Sequence, residues 1–274
     1  MKRWPLTATG LTYLTAFMVV PLGLVLSYAF FRRGRFGGVV HEPTTENLTR
    51  LADPLYAGVV LHSTWIAALT TVLALLIGYP TAYVIAGLTR RRQTIALIAV
   101  VLPFWTSFLI RVYAWIVLLS GPGWLNKTLR AIGLGPVEIL YTDAAVVIGL
   151  LYAYLPLMIL PLYASLARLD PQLREAAANL GGGPWAVFRT VTLPLTLPGV
   201  LTGCLLVFVP SFGNFVVPEL LGGGRSVMVG NLIRDQFLKA RDWPFGSALS
   251  LALLAVLTLL LFAQAWTARR YGSR

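Results

Sequence analysis

Few residues in this chain have the chemistry of a catalytic centre. Cys204 is the single cysteine, and His41 and His62 are the two histidines. That excludes a disulfide framework and leaves no zinc-type pairing of Cys and His. The lysines are Lys2, Lys127 and Lys239, and none follows a glycine-rich loop, so there is no Walker A sequence. HExxH, GxSxG and CxxC are absent as well. His41 reads as a solvated loop residue, and neither histidine has an obvious partner in the sequence. A membrane-embedded enzyme would need clustered catalytic groups; here the expectation is no enzyme activity, no bound cofactor and no metal in this chain.

One polar segment has spacing that specifies a shape. It runs from Asp170-Pro171 through Leu173-Arg174-Glu175-Ala176-Ala177-Ala178 to Leu180-Gly181-Gly182-Gly183-Pro184 and on to Leu193-Pro194. Asp170 is a good N-cap and Pro171 a good first helical residue. A short helix is expected from there to about Leu180, closed by the glycines, which tolerate the left-handed conformation. Pro184 can open a second short helix. The spacing predicts a helix-turn-helix at a membrane surface. An amphipathic helix lying on lipid is the plain alternative, but lipid would not require the Gly181 and Leu193-Pro194 spacing.

The elements that position this segment are apolar throughout. The chain is 274 residues long, 57% hydrophobic and 12% charged. A soluble domain carries roughly a quarter charged residues. The net charge of +12 then reads as basic residues anchoring helix ends at a membrane rather than a nucleic-acid surface. A spanning helix needs about 20 apolar residues, and six such runs stand out, near 9–31, 59–88, 95–119, 144–167, 197–218 and 246–268. They are continuously apolar, not alternating, so they are helices and not barrel strands. The first resembles a signal peptide, with Ser27-Tyr28-Ala29 as a small-x-small pattern, yet it is too long for an h-region and is read as a retained helix. Six helices put both termini on one side. The tight Arg90-Arg91-Arg92 loop and Arg269-Arg270 at a helix end place that side in the cytoplasm. The expected division is a first helix with its outer loop (1–58), a transmembrane core (59–268) containing the 170–194 segment, and a cytoplasmic tail (269–274).

With these residues in place, the 170–194 segment resembles the EAA loop of ABC importer permeases: Glu-Ala-Ala, three residues, Gly, nine residues, an aliphatic, any residue, Leu-Pro. Glu175, Ala176, Ala177, Gly181, Val191, Leu193 and Pro194 match it, with Val191 where Ile is commoner. Fixing Gly and Pro alone arises by chance about once in 300 at average usage. The resemblance implies an all-α integral membrane protein of the type I ABC importer permease fold. It also implies that the loop docks into a cleft on a separate ATPase subunit. Ala176, Ala177 and Ala178 would then allow close approach, Leu173 and Leu180 would act as apolar plugs, and Arg174 and Glu175 would fix orientation by charge-assisted bonds.

The resemblance narrows to spermidine/putrescine permeases over roughly 59–265. It is carried by Pro103-Phe104-Trp105-Thr106-Ser107-Phe108-Leu109-Ile110-Arg111-Val112-Tyr113-Ala114-Trp115, by Leu140-Tyr141-Thr142, by Leu155-Pro156-Leu157-Met158 and by Pro218-Glu219-Leu220-Leu221-Gly222-Gly223. Met228-Val229-Gly230-Asn231 and Asp242-Trp243-Pro244-Phe245-Gly246 extend it. Related permeases serve opines, aminophosphonates and other small polar solutes, and a secondary carrier is the remaining rival. A polycation wants carboxylates and aromatic faces, and acidic residues near the spans are few, Asp143 and Glu219. Candidate pathway residues are Trp105, Arg111, Tyr113, Tyr152, Ser211, Asn214 and Glu219. Arg111 is either a functional intramembrane charge or a snorkelling one, and the aromatics either line a path or form an interfacial belt. Pro210 and Gly213 predict a kinked or broken fifth span, the kind of interruption transport sites favour. The implied assembly has a second, related permease, an ATPase dimer that uses ATP and Mg, and a periplasmic or lipoprotein substrate-binding protein. It sits in lipid in the bacterial inner membrane, with no nucleic acid.

Overall fold

The computed structural model describes the backbone of residues 4–133 and 135–272 and the side chains of 10–133 and 135–262. Of the basic residues used above for orientation, the side chains of Arg269 and Arg270 lie outside the described residues.

The elements run α1 (Trp4–Ala29), β1 (Phe31–Arg33), β2 (Val39–Pro43), α2 (Glu46–Leu51), α3 (Pro54–Ala86), α4 (Arg90–Val101) and, after a 3₁₀ turn at Leu102–Trp105, α5 (Phe108–Leu119) and α6 (Trp124–Ala131). Then come α7 (Asp143–Leu166), α8 (Pro171–Asn179), α9 (Pro184–Val187), a π-helical turn at Phe188–Thr192, α10 (Leu193–Phe212), α11 (Val216–Leu221), α12 (Val229–Leu238) and α13 (Trp243–Gly272). Among the described residues, six helical stretches are long and apolar enough to cross a membrane: 10–29, 54–86, 108–131, 143–166, 184–212 and 243–262. The all-α membrane architecture expected from the sequence is therefore present, with a small antiparallel hairpin, β1–β2, added after the first span.

The third run departs from its expected outline. The sequence predicted one helix over 95–119; the chain instead forms α4, the 3₁₀ turn and α5, with Thr106 and Ser107 extended at ψ 152° and 132°. Pro103 has no N–H to donate, which weakens the α-helical ladder where α4 gives way to the 3₁₀ turn. α4 and α5 have 12 residues each, about 18 Å of helix apiece. Neither alone matches a hydrocarbon core of about 30 Å; the stretch long enough to cross is 108–131, α5 together with α6. The fifth run also breaks, as Pro210 and Gly213 predicted: α10 stops at Phe212 and α11 starts at Val216.

The described chain forms two compact units, 1–60 with 230–259, and 61–229 with 260–274. The larger is built on α7, which packs along α10 and against α11. Its core has two clusters, one around Val112, Val146, Leu150, Val217 and Leu221, the other around Ala74, Ala82, Met158, Leu162 and Val207. Small residues permit the close approach of helices in lipid. A Cβ on Gly203 would lie 2.7 Å from the Met158 sulfur, and one on Gly199 would meet Pro161 O at 2.8 Å.

The smaller unit is held by polar ties at the ends of its helices. Asn47 is buried and donates from Nδ2 to Ala29 O at 3.0 Å and Phe31 O at 2.9 Å, joining α2 to the end of α1. Asp242 is 1% exposed; its Oδ1 accepts the Phe245 N–H at 3.1 Å at the start of α13. Its Oδ2 accepts from Arg50 Nη1 at 3.0 Å, and the Arg50 guanidinium lies 3.9 Å over the Phe245 ring. Partial burial works to lower the Arg50 pKa, but the bond and charge of Asp242, with smaller help from Tyr56, raise it. On α12, burial works to raise the Asp235 pKa, and bonds to Lys239 and Arg234 overcome that and lower it.

Candidate functional site

The 170–194 segment folds as its sequence predicted. The Asp170 carboxylate accepts the Gln172 N–H at 2.9 Å and Pro171 occupies the first turn of α8. At the other end Gly181 has φ +87°; its N–H donates to Ala178 O at 2.9 Å and the Gly182 N–H donates to Ala177 O at 3.1 Å. Those two bonds are a Schellman closure, which satisfies carbonyls the helix would otherwise orphan. The two glycines do different work. A Cβ at position 181 would meet nothing within 4 Å, so only its backbone conformation demands Gly; a Cβ at 182 would lie 2.7 Å from Ala177 O.

This closure leaves Leu173 and Leu180, seven residues apart, on the same exposed side of α8. Leu180 is 90% exposed and Leu173 47%, with Glu175 and Ala176 exposed between them and Ala177 half-buried. Arg174 turns back toward the spans, its Nη1 3.5 Å from the Tyr83 hydroxyl. Behind the helix lies a cavity of about 400 Å³ lined by Tyr83, Arg174, Glu175, Val187, Phe188 and Thr192 among others. Leu193 and Pro194 begin α10 directly after the π-helical turn. Pro194 cannot donate to the preceding turn, which loosens the α-helical ladder there. Tyr79 fastens this joint, with its hydroxyl 2.8 Å from Thr196 Oγ1 and its ring edge-on to Phe188 at 5.6 Å.

A second group gathers where the two broken spans meet α7. The Arg111 guanidinium lies 5.4 Å from the Phe104 ring centre and 5.8 Å from Phe108; its Nε and Nη1 are buried without a hydrogen-bond partner among the described residues. On α7 the Tyr154 hydroxyl accepts from Asn214 Nδ2 at 2.7 Å. Asn214 Oδ1 accepts the Val217 N–H at 2.9 Å, capping α11 across the break. Ser211 is fully buried, and its Oγ has no partner among the described residues. Arg111, Ser211 and Asn214 thus belong to the interior of this unit. Trp105 and Tyr113, 78% and 55% exposed, face outward, as does Glu219, and Tyr152 stacks edge-on with Trp115 at 5.6 Å. His62 was read as having no partner. Its Nε2 lies 3.0 Å from Asp143 Oδ2, a pairing across 81 residues that no local pattern could announce.

Comparison with known proteins decides the family. Residues 74–273 match the model of the "binding-protein-dependent transport system inner membrane component". The chain belongs to this family. The spermidine/putrescine transport system permease protein PotB of Haemophilus influenzae is 44% identical over 92% of this chain and 88% of its own length. That of Escherichia coli K12 is 41% identical over 94% of both. Among solved structures, a chain of the bacterial alginate ABC transporter in complex with its alginate-bound periplasmic protein aligns over 97% of this chain and 94% of its own. That alignment has a TM-score of 0.76 at 16% identity. A chain of the inward-facing MetNI methionine transporter aligns with a TM-score of 0.57 at 18% identity, over 83% of this chain and 99% of its own.

The chain is thus a multi-pass inner-membrane permease subunit of an ABC importer of the polyamine permease group. Within this permease architecture, two residues that sequence reasoning passed over become prominent. Trp185 is 72% exposed beside Gly181-Gly182-Gly183, stacked on Phe188 at 5.4 Å. An exposed tryptophan in the first turn of a surface helix was a usable signal. Tyr79 was not legible, because its partner lies 117 residues away.

Proposed function

We propose that this permease moves polyamines inward, driven by a separate ATPase dimer that binds ATP and Mg and grips the 170–194 loop. The observation that carries the reading is the Schellman-closed α8. It holds Leu173 and Leu180 outward, with Glu175, Ala176 and Ala177 between them, on a turn rooted in α10 at Leu193-Pro194. An apolar plug flanked by charge on a preformed turn fits a cleft at small ordering cost. Closure of the ATPases would pull the two loops of a permease pair together, through Tyr79 and the π-helical turn, and turn an inward-open cavity outward. A second, related permease and a substrate-binding protein complete the machine.

The solute follows from 41–44% identity to permeases named for spermidine and putrescine. A deletion strain is expected to lose most spermidine or putrescine uptake, measured with radiolabelled solute, and to regain it from a plasmid. Unchanged polyamine uptake with loss of an anionic or zwitterionic solute would point to Arg111, whose buried N–H groups lack an acceptor among the described residues, as a ligand for a carboxylate or phosphonate.

Both termini are placed in the cytoplasm, supported by Arg90-Arg91-Arg92 at the start of α4, just after the short connection from α3, and by the loop's need to meet an ATPase. A cysteine at position 91 is expected to resist a membrane-impermeant maleimide in intact cells and to react after permeabilisation. Reaction without permeabilisation would reverse the topology.

A further inference from the structure

Phe36 is 98% exposed. A lone exposed apolar side chain is ordinary; this one stands on a turn that is built to hold it. Gly34 to Gly37 form the tip of the β1–β2 hairpin, with the Gly37 N–H donating to Gly34 O at 3.0 Å and the Gly34 N–H to Gly38 O at 3.2 Å. Arg35 and Phe36 are the two corner residues, so both side chains project. The tip is strapped to the turn before α13: the Gly38 N–H donates to Arg241 O at 2.9 Å, and Arg33 Nη2 donates to Ala240 O at 2.6 Å. Gly37, at φ +90°, is pressed so close that a Cβ there would lie 2.7 Å from Arg241 Cβ.

Arg241 itself is in the left-handed region, at φ +50°. That conformation is unfavourable for a residue with a Cβ, and such strain clusters where a side chain must be aimed. Arg35 and Arg241 are both exposed and neither takes part in an ion pair among the described residues, whereas Arg32 has Glu42 and Lys239 has Asp235. The result is a hydrogen-bonded tip that exposes one aromatic ring, with two exposed arginines, Arg35 beside it in the chain and Arg241 packed on Gly37, that have no counter-ion among the described residues. Aromatic and arginine side chains are the residues that anchor protein interfaces.

We propose that the Arg35-Phe36 tip, with Arg241, is a docking point for the substrate-binding protein, seated on an acidic, partly apolar rim of that protein. The inference rests on the polyamine and topology readings above, which put the hairpin outside the cell membrane. Charge argues for this occupant. A protein that buries a polycation needs carboxylates to pair with its charges, and a rim that continues that negative charge would complement this positive tip. The guanidinium groups then steer the encounter and compete with the cargo for those carboxylates. Arg35 and Phe36 lie outside residues 74–273, the part matching the general family, and Arg241 lies within it.

The test uses the full importer in nanodiscs, with spermidine-loaded binding protein titrated against ATP hydrolysis. Phe36→Ala and Arg35→Glu are each expected to raise the binding-protein concentration for half-maximal stimulation by tenfold or more, with basal hydrolysis unchanged. Phe36→Trp should restore it, and added salt should weaken the unaltered complex more than Arg35→Glu. A normal titration with both Phe36→Ala and Arg35→Glu overturns the docking point and leaves the transport reading intact. A Phe36→Cys variant, made in a Cys204→Ala background, gives a single thiol at the tip. If a bimane on that thiol is quenched by brominated lipid while the titration stays normal, the tip is a membrane anchor and the proposal is wrong. If the same thiol resists an impermeant maleimide in intact cells, the topology reading fails and takes this proposal with it.

Discussion

Replacing Gly181 by valine is expected to abolish most solute uptake while leaving the permease inserted at normal abundance. The geometry isolates the cause. A Cβ at this position meets nothing within 4 Å, so the substitution creates no clash inside the chain. What it disturbs is φ +87°, which a β-branched residue reaches only at a cost of order 1 kcal/mol or more. The turn can relieve that strain by opening. The Gly181→Ala178 and Gly182→Ala177 bonds then weaken, and Leu180 loses its outward direction. The new bulk also falls on the surface proposed to enter the ATPase cleft. Membrane abundance by immunoblot and co-purified ATPase per permease separate the two levels: the first should be unchanged, the second should fall several-fold. Glu175→Ala should do the same to a smaller degree, since Glu175 is exposed and contributes orientation without shaping the turn. Normal ATPase recovery with normal uptake in Gly181→Val would remove the loop from the coupling path.

The contrast between this loop and the membrane interior explains what the sequence could convey. The loop was legible because every device in it is local: an N-cap two residues from its donor, a proline in the first turn, two glycines closing bonds of three and five residues' separation. The six crossings were legible for the same reason, as continuous apolar runs. The broken third crossing was within reach, since Pro103 stands in the middle of the run that was read as one helix. The interior group was only half legible. Arg111 and Asn214 announce themselves as polar residues in apolar runs, yet which aromatics share their interior depends on how α5, α7 and α11 rotate about their axes. Continuously apolar helices carry little amphipathic signal to fix that rotation. Tyr113 on α5 came out on the exposed side, and so did Trp105 on the 3₁₀ turn before it. The His62–Asp143 and Tyr79–Thr196 links join residues 81 and 117 positions apart, and no spacing rule reaches that far.

The same long-range logic makes Asp242 the most consequential single polar residue outside the spans. Its carboxylate is 1% exposed and answers three demands at once: the Phe245 N–H at the start of α13, the Arg50 guanidinium at 3.0 Å and the more distant Arg33 at 3.9 Å. Asp242→Asn keeps an oxygen for the cap but removes the charge. Arg50 is then left half-buried over the Phe245 ring with no counter-ion. Removing the charged partner costs on the order of 1 kcal/mol, less than for a fully buried pair, because Arg50 keeps 34% of its side chain exposed. Removing both partners costs far less. The expected result is a clear fall in the thermal midpoint of the detergent-solubilised permease for Asp242→Asn, with substantial recovery in Asp242→Asn combined with Arg50→Met. The methionine keeps a flexible apolar side chain against Phe245. Tryptophan fluorescence suits the measurement, since Trp243 adjoins the substituted position and its ring lies 6.1 Å from Phe237. A midpoint unchanged in the single variant, or a double variant less stable than the single, would show that the pair does not hold the ends of these helices together.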